Sequence, residues 1–205
     1  MAAPGIAIPG TSVPSGSQVS PAGPQGIQGP QGAAGTGGGG GSGGTKTWKK
    51  FNPNEGNPPA SNYAIWGTRN STPFLAFNDT TQWSTLFIDA VPESAVVSSG
   101  VTIRIFWISA SGTSGAVQWG AAIDSMAAGS NPTSDSFDTA ATNSPGTNAP
   151  GTSGVVVVST ITLTSIDSIG IGDAYRLKIY RDAASGNDTM TGDAQLLEVE
   201  IRSAN

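Results

Sequence analysis

The chain has 205 residues, with 9 Lys+Arg against 14 Asp+Glu, a net charge of −5 and only 11% charged side chains. So few cations do not build the basic face that nucleic-acid phosphates require, and no apolar run approaches the ~18–20 residues that span a bilayer. Histidine and cysteine are both absent, which excludes Ser/His/Asp and thiol catalysis, disulfides and most zinc sites.

Residues 1–44 contain no aromatic and no charged side chain, so they hold too little apolar surface to fold alone. The opening, MAAPGIAIPG, has neither a cationic n-region nor a continuous apolar h-region and does not read as a secretory signal. In residues 1–22 the prolines Pro4, Pro9, Pro14 and Pro21 favour an extended course. This segment reads as a peptide laid along another protein, with Ile6, Ile8 and Val13 as its apolar contacts.

From residue 23 to 44 a glycine falls at every third position. Gly23, Gly26, Gly29, Gly32 and Gly35 head or close triplets such as Gly-Pro-Gln and Gly-Ile-Gln, the pattern of a collagen triple helix, where only glycine fits the crowded axis. Beyond Gly35 the period persists through glycine excess and reads as flexible linker. So short a triple helix needs something further to hold three chains together.

Aromatics, charges and apolar alternation begin together after residue 44, giving one domain, 45–205, large enough for a single core. Its patterns have period two. VTIRIFWIS places Val101, Ile103, Ile105 and Trp107 on one face; AVQWGAAI places Val117, Trp119, Ala121 and Ile123. GVVVVSTITLT sets Val155, Val157, Ile161 and Leu163 opposite Val156, Val158, Thr160 and Thr162. AYRLKIYR alternates Tyr175, Leu177 and Ile179 with Arg176 and Lys178, and QLLEVEIR alternates Leu197, Val199 and Ile201 with Glu198 and Glu200. Further strands are expected at Tyr63–Gly67, Phe74–Phe77 and Thr85–Val91, separated by Pro/Gly-rich turns. The expected fold is all-β, an antiparallel, jelly-roll-like β-sandwich.

Two strands are apolar on both faces. Phe106 and Ile108 in one, and Val156 and Val158 in the other, fall on the side that a two-layer sandwich turns to water. Either loops cover them or another subunit does; with a three-chain neck upstream, these four are expected at a trimer interface.

The last two strands offer a test of topology. As a hairpin they would pair Arg176 with Glu200 and Lys178 with Glu198. A jelly roll places them in opposite sheets and leaves those pairs unmade.

No catalytic, cofactor or metal residues are assigned. A carboxylate pair for glycoside hydrolysis is not assembled by any motif, and Asp79, Asp173, Glu198 and Glu200 read as turn or outward positions. Asp182, Asn187, Asp188 and Asp193 share one loop with oxygen ligands of the kind calcium takes, but their spacing is not that of an EF-hand, and solvated loop carboxylates are expected. Asn70, Asn78 and Asn187 fall in N-x-S/T sequons. Trp48, Trp66 and Trp83 lie in polar surroundings, where packing competes with stacking on sugars.

From Trp83 onward the chain resembles a sandwich domain of phage structural proteins, in WSTLFIDAVPESAVVSSGVTIRIFWISASGTSGAVQW and GDAYRLKIYRDAASGNDTMTGDAQLLEVEI. The succession of tail, collagen-like neck and sandwich is also similar to trimeric virion fibres and capsid decoration proteins. The resemblance carries no catalytic motif. It implies a homotrimer on the particle surface, a head fibre or capsid cement protein whose N-terminal tail holds the major capsid or another virion protein, with no nucleic-acid or membrane partner. Alternatives are a host-receptor-binding tail fibre or spike tip, with a host-surface glycan as its ligand, and a bacterial surface or spore-coat collagen-like trimer.

Overall fold

A computed structural model describes Gly10 and residues Lys46–Ala204. The anchoring positions Ile6, Ile8 and Val13 and the collagen-like Gly23, Gly26, Gly29, Gly32 and Gly35 lie outside the described residues.

The strands follow the alternation closely. They are β1 (Thr47–Phe51), β2 (Ile65–Arg69), β3 (Thr72–Phe77), β4 (Ser84–Ala90), β5 (Val101–Ser109), β6 (Ala116–Val117), β7 (Trp119–Met126), β8 (Ala141–Thr142), β9 (Thr147–Asn148), β10 (Val157–Leu163), β11 (Ala174–Arg181) and β12 (Ala194–Ser203). The β2–β3 hairpin turns through Asn70 and Ser71, both at positive φ (47° and 62°). That is the two-residue turn whose twist suits paired strands, and asparagine accepts it readily.

One sheet runs β10-β5-β12, and β12 then pairs along its other edge with β3 near Ala194–Leu196 and with β1 near Val199–Arg202; β2 flanks β3. The second sheet runs β4-β11-β7-β8, and β6 with β9 forms a small third ladder. All strand pairings are antiparallel. From β3 through β4 and β5 to β7 the chain alternates between the two large sheets, and it does so again from β8 through β10 and β11 to β12. This is the double Greek-key order of a jelly roll.

β11 and β12 therefore lie in different sheets, and the hairpin alternative is excluded. Arg176 binds Asp124 at 2.6 Å, Glu198 binds Lys50 at 2.9 Å, and Glu200 binds Arg104 and Arg202, each at 2.8 Å. Lys178 lies over the rings of Phe137 and Tyr180.

Between the sheets, Ile103, Ile105 and Trp107 of β5 face Leu177 and Ile179 of β11 and Trp119 and Ile123 of β7 in one continuous core. Phe77 meets Trp119 edge-on at 4.9 Å, and Phe51 stacks on Phe87 at 4.9 Å. Each fully buried large side chain contributes about 1.5–3 kcal/mol.

Two expectations about core-facing residues need correction. Leu197 is not a core residue: the register of β12 against β5 slips between Leu196 and Glu198, and such a bulge adds one residue to the strand. Leu196 and Val199 both point inward, and Leu197 turns toward the outer face. Val155 precedes β10 and is exposed. β7 is buried on both faces, because its outer side is covered: the Tyr180 ring lies over Gly120, where any Cβ would strike it, and Asp124 is closed off by its ion pair with Arg176, on whose guanidinium Phe137 packs. The strand at the domain's start, β1, has no clear period-two signal; it adds to β12 by backbone pairing.

Candidate interaction sites

The outer face of the first sheet carries the four residues expected at a subunit interface. In the β10–β5 register Val158 stands opposite Phe106, and Val156 and Ile108 together line a small cavity beside Leu197. The four form one patch but contribute unequally. Val156 is 54% exposed and Val158 36%, whereas Ile108 is 6% exposed, covered by its own chain. Gly154 N–H donates to the Ser109 carbonyl, which brings the loop before β10 down beside Ile108. Phe106 is half-buried, with the Arg104 guanidinium 5.0 Å and the Lys50 ammonium 5.8 Å from its ring centre. β10 is also the edge strand of this sheet, and an edge presents backbone groups ready to pair.

Beyond Phe106 the same face becomes charged. Glu200, almost wholly buried, accepts hydrogen bonds from Thr47 Oγ1 and Arg104 Nη1 at 2.8 Å and forms its ion pair with Arg202. Burial by itself would raise this carboxyl. The hydrogen bonds from Arg202, Thr47 and Arg104 outweigh it and hold the pKa below the ordinary 4.5. A carboxylate held low in the folded state adds stability above its unfolded pKa and loses it as pH falls through the folded one. Urea midpoints measured below pH 4.5 are thus expected to fall less steeply for Glu200→Gln than for the parent. Parallel pH profiles would show that the cluster is not coupled to folding.

The acidic loop between β11 and β12 is a structural fastening. Asp188 is buried and gives both oxygens to Arg181, from Nε at 2.9 Å and Nη2 at 2.7 Å, while also accepting from the Gln118 backbone N–H. Asp188 is therefore not a solvated loop carboxylate. Asp193 is raised, first by burial and then by Asp79, against the opposing pull of Arg181. Arg181 was legible in principle: it continues the inward parity of Tyr175, Leu177 and Ile179. Among the described residues no group of three or more acidic side chains gathers to hold a metal ion, and no helix is long and apolar enough to cross a membrane.

Of the three tryptophans singled out, two serve packing. Trp48 meets Tyr175 edge-on at 6.3 Å and donates to Ser203 Oγ, and Trp83 packs against the core. Trp66 stands apart, at 56% exposure, on the wall of a groove of roughly 640 Å³. A short 3₁₀ turn, Pro53–Glu55, capped by Asn52 and closed by Glu55 reaching back to the Asn52 N–H, also lines it. Gly56 lets that segment lie close to Leu75 and Thr85, where a Cβ would clash with both side chains.

No family model matches this chain, and no curated protein matches it.

Proposed function

We propose that this chain is a non-enzymatic, homotrimeric structural protein of a phage particle, a head fibre or capsid decoration protein displayed on the virion surface and attached by its N-terminal tail. The observation that carries the reading is the apolar patch of Val156, Val158 and Phe106 on the edge of a jelly-roll sheet, downstream of a segment with collagen periodicity. Three collagen-like strands bring three sandwiches together, and an apolar patch on each supplies the area that four or so Gly-X-Y triplets cannot. Three linked tails then convert modest affinity per tail into strong avidity. Proline limits the free tail's conformations and so lowers the ordering cost when it binds.

Sedimentation of the full chain is expected to give a trimer, and Phe106→Lys or Val158→Asp to weaken it. Removing Met1–Ser20 is expected to leave a folded trimer that no longer attaches to particles, and Ile6→Asp with Ile8→Asp to do nearly as much. A monomeric parent chain, or full decoration of particles by the truncated chain, would overturn the reading. A host-binding tail fibre is the second reading, favoured by the exposed Trp66 groove.

A further inference from the structure

The groove beside β2 combines three features. Trp66 and Tyr63 are each more than half exposed, at 56% and 51%. The Trp66 ring is nonetheless fixed, because its indole N–H donates to Asn54 Oδ1 at 2.9 Å and Asn54 belongs to the capped turn. None of the side chains lining the groove is charged. Its volume falls within the ~300–1,000 Å³ of small-ligand sites.

We propose that this groove binds a neutral carbohydrate, one pyranose ring lying on the exposed face of Trp66. The face of an indole is electron-rich, and one face of a pyranose presents C–H groups of slight positive charge. A ring held rigid loses little freedom on stacking, which favours binding. Sugar hydroxyls both donate and accept, and they meet the Tyr63 hydroxyl and the Asn54 amide at the groove's rim.

The charge of the site selects a neutral ligand. No cation lines the groove to receive a carboxylate or phosphate, and the chain's net charge of −5 disfavours anions. A proline-rich peptide also suits an aromatic groove, but it offers mainly carbonyl acceptors. The Trp66 donor is already engaged, and Pro53, Pro58 and Pro59 have no N–H to give, which leaves the Tyr63 hydroxyl and the Asn54 amide as side-chain partners suited better to hydroxyls that both donate and accept than to a row of carbonyls. The inference stands apart from shell attachment: sugar binding is read on the purified chain, whether or not its tail grips a particle.

The test is saturation-transfer NMR on the full chain with maltohexaose, cellohexaose, xylohexaose and N-acetylchitohexaose, beside sialyllactose and a proline-rich decapeptide. At least one neutral oligosaccharide is expected to bind saturably with a Kd on the order of 1 mM. Trp66→Ala and Tyr63→Ala should each weaken it about tenfold or more, Trp66→Tyr should retain most of it, and Ile171→Ser, exposed in the loop between β10 and β11, should leave it unchanged. The proposal fails if no neutral oligosaccharide binds, if both alanine variants bind like the parent, or if the peptide or sialyllactose is preferred.

Discussion

Arg181→Met is expected to destabilise the domain by about 3–5 kcal/mol, the range for breaking one partner out of a buried ion pair. The side chains of Arg181 and Asp188 are both inaccessible to solvent. Methionine can fill much of the space of the arginine stem, yet it leaves the Asp188 carboxylate uncompensated. It also removes the guanidinium hydrogen bonds to the carbonyls of Phe77, Met190 and Gly192. Pairing the change with Asp188→Leu should recover only part of the loss, because those carbonyls still lose the guanidinium donors. Arg181→Lys should rescue poorly, since an ammonium lacks the fork that reaches both carboxylate oxygens. Urea titration decides it: a midpoint equal to the parent's would show that the fastening contributes nothing.

Gly100→Ala is expected to be nearly as damaging, at about 3 kcal/mol, while Gly172→Ala costs about 1–2 kcal/mol. Both glycines hold positive φ, 81° and 84°, so both substitutions carry the left-handed strain. Only at Gly100 would the new Cβ also collide with backbone, the carbonyl oxygen of Leu163; at Gly172 it meets nothing within 4 Å. Leu163 ends the β10–β5 ladder opposite Val101, so relief of the collision would shift the edge strand that carries Val158. Differential scanning calorimetry of the two variants separates strain from collision. Equal losses would mean that the Leu163 strand end gives way freely.

The alternation was a good guide where a strand is regular. VTIRIFWIS became β5 and AYRLKIYR became β11 with the expected faces inward. It misled at Leu197, because a bulge changes the phase of side chains without leaving a mark in composition. It was silent on β1, where Thr47–Phe51 has one buried end residue and is held chiefly by pairing to β12. The same limit applied to the sites. Val156 and Val158 were legible as outward apolar residues, and so was Ile108, but the loop that buries Ile108 was not. Trp66 could not be told from Trp48 and Trp83 by its neighbours in sequence. What distinguishes it is a turn twelve residues earlier that holds its indole at the surface.

An all-β domain, the inward residues of most strands and the change of character at residue 45 could all be read from the amino-acid order. These follow from local properties: a side-chain period of two, and the presence or absence of apolar mass. That β11 and β12 part into opposite sheets could not be read this way, since their charges and parity suited a hairpin equally well. In the separate sheets the same charges meet long-range partners, Asp124 for Arg176, Lys50 for Glu198, and Arg104 for Glu200, and Arg181 ties the intervening loop to Asp188. Which outward apolar residues stay open to a partner was settled in the same way, because loop cover depends on where distant segments fold back and has no period to read.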